Sequence, residues 1–352
     1  MVPSFRIAII SLVLTAIVGC NTSGPSPADD TDGGTKRVRV VYIPKNTGNP
    51  YFDAIISGFQ RAADEFGYDF HTTAPASAEA TSQVPFIKDQ IQRGIDVLAI
   101  SPNSPDALNS IFDRARKSGI IVMVVNSDIP GSEAHRDLAV MPMDFNLVGA
   151  KNIEIMSEVI DGQGDIAVLS ATTDAPDQNF WIEGMKVALH QPQYAGLNLV
   201  DIVYGDDDPQ KSTVEAEGLL AKYPNLRGII SPTSVGIAAT AQVIELAGLY
   251  PGGPNATGDG LELTGMGTPN EMRRFIKEGI VEKFFAWDPS RQGYIAGYLA
   301  VEMVAGRIKP EPGVTFEMSD AEIGRREFRD NNVLIAGSAI VLEKQNIDDW
   351  HF

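Results

Sequence analysis

The run Val38-Arg39-Val40-Val41-Tyr42-Ile43, then Pro44-Lys45-Asn46-Thr47-Gly48-Asn49-Pro50, then Phe52, Ile55, Ile56, Phe59, Ala62, Ala63 and Phe66 with Gly67 behind them decides the fold. Its first part is short, apolar and rich in β-branched residues, which predicts a strand. Its last part places apolar residues at steps of three and four, one stripe of a helix, and a glycine follows where the chain can leave the helix in a left-handed conformation. A polar loop joins the two. Strand, polar loop and amphipathic helix make a βα unit, and its recurrence predicts a parallel sheet covered on both faces.

The unit recurs. A weaker strand is predicted at 70–73, a helix marked by Val84, Ile87 and Ile91 ends at Gly94, a strand follows at 97–101, a helix at 106–117 and a strand at 120–125. After Asn126 the pattern loosens until a strand at 139–143 and a helix at 146–160. A second set then has strands at 165–169, 199–204, 228–231 and 262–266, separated by helices at 178–189, 210–222, 236–246 and 270–277. A strand at 281–287, a helix at 291–305 and a weakly strand-like tail at 315–352 complete the chain. The expected fold class is α/β, with two similar doubly wound parallel-sheet lobes.

Composition narrows the function. The chain has 352 residues, 28 Lys plus Arg against 46 Asp plus Glu, and a formal net charge of −18. Such a surface has no basic face on which to release counterions from phosphates, which argues against nucleic-acid binding. Cys20 is the one cysteine, and its place matters more than its number. Residues 7–18 are apolar apart from Ser11 and Thr15, with Arg6 in front, the layout of a secretory signal. As a helix they would rise about 18 Å, short of a bilayer's hydrocarbon core of about 30 Å. Ile17-Val18-Gly19-Cys20 resembles the lipobox of bacterial lipoproteins, which implies lipidation at Cys20. Residues 21–36 are small and polar, and read as a flexible tether.

Ligands of open α/β sheets bind at the carboxyl ends of the strands, so the residues there are the candidates. They are Pro44 to Phe52, Ser101-Pro102-Asn103-Ser104, Asn126-Ser127-Asp128, Thr172 to Trp181, Ser231-Pro232-Thr233-Ser234 and Gly267-Thr268-Pro269-Asn270. Amides, carboxylates and hydroxyls beside aromatic rings suit a hydroxylated small molecule, with directional partners for each OH and a flat face for the C–H side of a ring.

Ile43-Pro44-Lys45, Gly48 to Asp53, Ser101 to Leu108, Asp177 to Trp181, Tyr204 to Asp207, Lys211 to Leu220 and Asn346-Ile347-Asp348 together resemble the type I periplasmic sugar-binding proteins of ABC transporters. The resemblance is to the branch with rhamnose-binding and autoinducer-2-binding members. It implies a clamp of two lobes joined by hinge strands near Met143, Trp287 and Pro312. The N-terminal lobe would comprise 37–143 plus 287–312, and the C-terminal lobe 144–286 plus 313–352, after a signal peptide at 1–20. It also implies that Lys45, Asp177, Gln178 and Pro232 contact ligand. Asn126 stands where autoinducer-2 binders carry an aspartate, with Asp128 two residues on, and Ser234 stands where they carry alanine. The exchange removes a charge and adds a hydroxyl, which suits a deoxyhexose or pentose equally well. The candidate ligand-binding set is Lys45, Asn46, Tyr51, Phe52, Asn126, Asp128, Asp177, Gln178, Trp181, Pro232, Ser234, Trp287 and Asp288. The expected partners are a sugar or autoinducer-2 and a transporter permease, with the membrane reached through the lipid alone. No cofactor or metal is expected, and the chain is expected to be a monomer.

Plainer roles compete for several of these residues. Lys45 could be a solvated loop lysine; Asp177 or Gln178 could cap a helix, as could Asp288 before Pro289. Phe52 fits the core stripe, and Trp287 fits hinge packing. Asp206-Asp207-Asp208 lacks the alternate spacing of a calcium loop and precedes a helix, where negative charge is favourable anyway. His71, His135, His190 and His351 have no partners at metal spacing, and no G-x-S-x-G or P-loop occurs. A sugar-responsive transcription regulator of the same fold would need a basic helix-turn-helix before Val38, and a glycoside hydrolase would need a carboxylate pair such as Asp128 and Asp177.

Overall fold

In the computed structural model, which describes residues 37–129, 131–320 and 323–352, the leading unit is built as its sequence requires. Strand β1 (Arg39–Ile43) runs into α1 (Pro50–Phe66), whose first turn is capped by the Asn49 side chain accepting from the Tyr51 amide. Gly67 closes α1 at φ 72°. Phe59 lies between Tyr42 of β1 and Phe70, with ring centroids 5.1 and 5.3 Å away, which locks the helix onto the sheet.

The chain continues through β2 (Asp69–Thr72), α2 (Val84–Arg93), β3 (Val97–Ile100), α3 (Asn109–Lys117), β4 (Ile121–Val125) and β5 (Leu138–Met141). Next come α4 (Val148–Val159), β6 (Gly164–Ser170), α5 (Pro176–Leu189), β7 (Leu197–Tyr204), α6 (Pro209–Lys222), β8 (Leu226–Ser231), α7 (Ser234–Ala247) and β9 (Glu262–Gly265). Helix α8 (Pro269–Lys277), β10 (Lys283–Ala286) and α9 (Pro289–Val304) lead to four short strands, β11 (Thr315–Glu317), β12 (Arg325–Glu327), β13 (Val333–Ile335) and β14 (Ile340–Glu343).

Two sheets organise these elements. The first has the order β13-β5-β4-β3-β1-β2, all parallel, and the second the order β7-β6-β8-β9, also parallel. A parallel bridge between Met266 and Phe285 brings β10 beside β9, and β14 pairs antiparallel with β10. The fold is α/β with two doubly wound lobes. The leader, the tether and Cys20 lie outside the described residues.

The last forty residues divide differently from the expectation. β11 and β12 form a hairpin whose Phe316 packs with Tyr298 of α9 and with Phe328 just beyond β12, and β13 pairs with β5 in the first sheet. Only from β14 onward does the tail join the second lobe. The third connection between lobes is therefore residues 336–339, not the neighbourhood of Pro312. Val333-Leu334-Ile335 is too short for periodicity to distinguish, and its place is set by an open parallel edge on β5 that local sequence does not announce.

Helix contacts in each lobe are unusually close. A Cβ on Gly58 of α1 would lie 1.9 Å from Ser290 O, and one on Gly293 of α9 would lie 2.0 Å from Ile55 O. In the other lobe a Cβ on Gly149 of α4 would lie 2.5 Å from the backbone of both Trp181 and Gly184 of α5. Only glycine permits backbones to meet at these distances.

Candidate functional site

The loop after β1 carries Lys45 and is held from beneath by amides. Gln83 donates to Pro44 O at 3.0 Å and Ser101 O at 2.8 Å, and accepts from the Asn103 amide at 3.0 Å. Asn103 Nδ2 in turn donates to Lys45 O at 2.9 Å. So braced, the Lys45 side chain crosses to the other lobe. Its Nζ donates to Asp177 Oδ1 at 2.6 Å and reaches Gln178 Oε1 at 3.4 Å, and Lys45 and Asp177 are both 2% exposed. The second oxygen of Asp177 accepts from Ser127 Oγ at 2.8 Å. Lys45 is thus not a solvated loop lysine, and Asp177, although in the first turn of α5, spends its oxygens on the opposite lobe.

Tyr51 is the second centre. Its hydroxyl donates to Asn126 Oδ1 and accepts from Trp287 Nε1 at 2.5 Å and Gln292 Nε2 at 3.2 Å. Burial pushes the phenol well above the ordinary tyrosine range, so it stays a neutral donor at any physiological pH. Asn126 takes φ 72°, the left-handed turn that asparagine tolerates, and this aims the chain end of β4 at Tyr51. Ser234 Oγ donates across the lobes to Asn49 Oδ1 at 3.2 Å, the same oxygen that caps α1. Pro232 is buried just before it.

Aromatic rings line the third side. Trp181 meets Phe145 edge-on at 4.8 Å and Trp287 at 5.8 Å, and Phe285 lies 6.0 Å from Trp287. Trp181 Nε1 is buried with no hydrogen-bond partner among the described residues, as is Gln292 Oε1. Phe52 packs edge-on against Tyr51 at 5.4 Å and belongs to the core of the first lobe, so it supports the site from behind. Asn46 is buried with its Oδ1 unpartnered among the described residues, and lines a cavity of about 380 Å3 that also touches Glu79, Thr172 and Asp207.

Two candidates are committed elsewhere. Asp128 is gripped bidentately by Arg136, Nε to Oδ1 and Nη2 to Oδ2 both at 2.6 Å, and also accepts from the Ile129 amide at 2.8 Å. It faces a cavity of about 340 Å3 shared with Phe145, Asp177 and Phe180, but its oxygens are held by its own lobe. Asp288 accepts from the Ser290 amide at 2.9 Å and Ser290 Oγ at 2.6 Å, which is the plain N-cap of α9. Asp128 is bound to Arg136, and Asp177 to Lys45 and Ser127, so the oxygens of both carboxyls are engaged by protein groups. The three consecutive aspartates have separate partners: Asp206 with Lys211, Asp207 with the Thr233 hydroxyl, and Asp208 as the cap of α6.

Ser127, Asn49 and Gln292 are contacts that the sequence reading did not single out. Ser127 and Asn49 stand in the polar strand-end stretches and differ from their neighbours only in where their side chains point. Gln292 is a fully buried amide in the first turn of α9, and nothing in the local sequence marks it.

Comparison with known proteins gives a consistent result. The family model described as "Periplasmic binding protein domain" matches residues 40–308. A sugar ABC transporter protein from Actinomyces odontolyticus is 37% identical, with a TM-score of 0.69 over 90% of this chain and 98% of that one. An ABC transporter solute-binding protein from Clostridium phytofermentans, solved with bound L-rhamnose, is 30% identical, with a TM-score of 0.83 over 89% and 98%. LsrB from Clostridium saccharobutylicum, solved in complex with AI-2, is 22% identical and shares the fold, with a TM-score of 0.80 over 90% and 100%.

Proposed function

The chain belongs to the periplasmic binding protein family, and from that premise we propose that it captures one small sugar between its lobes and delivers it to an ABC importer. The observation that carries this reading is the buried contact from Lys45 to Asp177 and Gln178, side chains more than 130 residues apart that meet only where the lobes close. Charged and amide groups so placed offer donors and acceptors to sugar hydroxyls, and Trp181 and Trp287 offer apolar faces. Ligand then selects the closed state by bridging groups that belong to different lobes.

A deoxyhexose such as rhamnose is the ligand we favour. The relative solved with L-rhamnose supports it, and so do the neutral side chains at Asn126 and Ser234. The resemblance to autoinducer-2 binders at Lys45, Asp177, Gln178 and Pro232 motivates a second reading. Against it, the Asn126 oxygen already accepts from Tyr51, and the Ser234 hydroxyl already donates to Asn49. Thermal-shift screening against rhamnose, pentoses, hexoses and autoinducer-2, followed by calorimetry, separates the two. Ligand at about a hundred times Kd adds roughly 2.7 kcal/mol to native-state stability, a shift of several degrees. A shift with rhamnose alone sustains the first reading, a shift with autoinducer-2 alone replaces it, and none with any ligand refutes both.

Extracytoplasmic anchoring through Cys20 belongs to the same proposal, as does action as a monomer. Among the described residues no helix is long and apolar enough to cross a membrane. Labelled palmitate entering the wild-type chain in cells, and not Cys20→Ser, is the expected result.

A further inference from the structure

The cavity of about 340 Å3 beside Asp177 has none of Lys45, Tyr51, Asn126, Trp181 and Trp287 in its lining. Its volume alone falls within the range of whole small-molecule sites, roughly 300–1,000 Å3. Both lobes build it. Met141 of β5 and Val333 and Ile335 of β13 come from the first, Pro176 and Phe180 of α5 from the second, and Met143 from the connection between them. The wall at Val333 and Ile335 exists because the tail returns to the first sheet as β13. Two groups are common to this space and to the candidate sugar site. Asp177 lines it while bound to Lys45 and Ser127, and Phe145 lines it while packing 4.8 Å from Trp181.

The chemistry of the lining says what would fill it. Asp128 is matched by Arg136, Asp144 by Arg329 and Asp177 by Lys45, so these carboxylates are already partnered within the protein. The apolar walls are different, because they gain by excluding water. Phe180 is 41% exposed, against 1% for its neighbour Trp181 and 2% for Trp287. A large ring is thus left within reach of solvent beside an apolar wall, where an incoming ring can meet it edge-on or offset. A free deoxyhexose, with hydroxyls around its ring, offers little to such walls; an apolar group attached to it offers more.

We propose that this cavity receives the apolar aglycone of a glycoside whose sugar lies between the lobes, so that the substrate class extends from the free deoxyhexose to its aryl glycosides. The inference rests on the reading of the cleft as a deoxyhexose site. It assigns Phe180, Val333 and Ile335 to the aglycone and leaves Lys45, Tyr51 and Trp287 to the sugar. Closure would then enclose both parts at once, since each part touches both lobes.

The test is calorimetric titration of the full chain with rhamnose, methyl α-L-rhamnoside and para-nitrophenyl α-L-rhamnoside. The aryl glycoside is expected to bind about tenfold tighter than the methyl glycoside, because its ring leaves water for an apolar wall. Phe180→Ser and Val333→Thr should each forfeit about threefold or more of that advantage and leave the affinity for methyl rhamnoside unchanged. Phe180 is exposed, so Phe180→Ser remains informative where Val333→Thr disturbs the pairing of β13 with β5. Rhamnose binding with the aryl glycoside refused, or bound no tighter than the methyl glycoside, overturns the inference and leaves the sugar reading standing. An advantage that survives in both variants places the ring elsewhere and also overturns it. Silence with all three compounds overturns the deoxyhexose reading, and the inference falls with it.

Discussion

Two ion pairs, Arg136–Asp128 and Lys45–Asp177, look alike in composition and differ in what they join. Arg136 and Asp128 are eight residues apart, and Asp128 Oδ1 also accepts from the Ile129 amide of its own loop. Arg136 also donates to Asn331 O at 2.7 Å, tying that loop to the turn before β13. Lys45 and Asp177 lie on different lobes, and Ser127 and Gln178 complete their shell. Separation of the lobes rehydrates the second pair but leaves the first intact. Desolvated charges are costly when one partner is removed, so the first pair is answerable to folding and the second to closure.

The comparison breaks most sharply at Asp177. Asp177→Ala leaves Lys45 uncompensated only in the closed form, so the expected loss is about 3 kcal/mol of ligand binding, roughly 150-fold in Kd, with Tm of the ligand-free protein little changed. Calorimetry beside a melting curve checks both halves; unchanged affinity would remove Asp177 from the site. Arg136→Ala should behave the opposite way, losing about 2–3 kcal/mol in urea unfolding while ligand Kd moves far less. Were its main effect on Kd, the division between the pairs would fail.

Smaller changes sharpen the same line. Tyr51→Phe strips a hydroxyl bonded to Asn126, Trp287 and Gln292 and leaves their buried polar groups short of a partner, which should weaken ligand binding by about tenfold. Ser234→Ala removes one interlobe hydrogen bond of 3.2 Å and should cost under about 1 kcal/mol, seen as a faster ligand off-rate in stopped-flow fluorescence. A loss as large as that of Asp177→Ala would mean that Ser234 contacts ligand directly.

How far each pair could be read beforehand follows from the same contrast. The resemblance brought Lys45, Asp177 and Gln178 together, because those residues stand in recognisable motifs at strand ends. Asp128 stands at a strand end too, and nothing in Asn126-Ser127-Asp128 tells which side chain faces the cleft. That is decided by the left-handed turn at Asn126 and by Arg136, eight residues downstream in a stretch of no period. The βα units were legible through stripe and strand because burial on both faces demands continuous apolar runs. β13 was not, since three residues carry no period and their pairing depends on an edge left open almost 200 positions earlier.

The glycine contacts between α1 and α9 have a mechanical consequence. Tyr51 lies in the first turn of α1 and Trp287 just before Asp288, the N-cap of α9, and the two side chains are bonded to each other. Helices that touch backbone to backbone at Gly58 and Gly293 cannot slide without collision. A turn of the chain at Trp287 is therefore passed to Tyr51 as through meshed gears with no backlash, and α4 and α5, meshed at Gly149 and Gly184, give Asp177 the same stiffness on the opposing jaw.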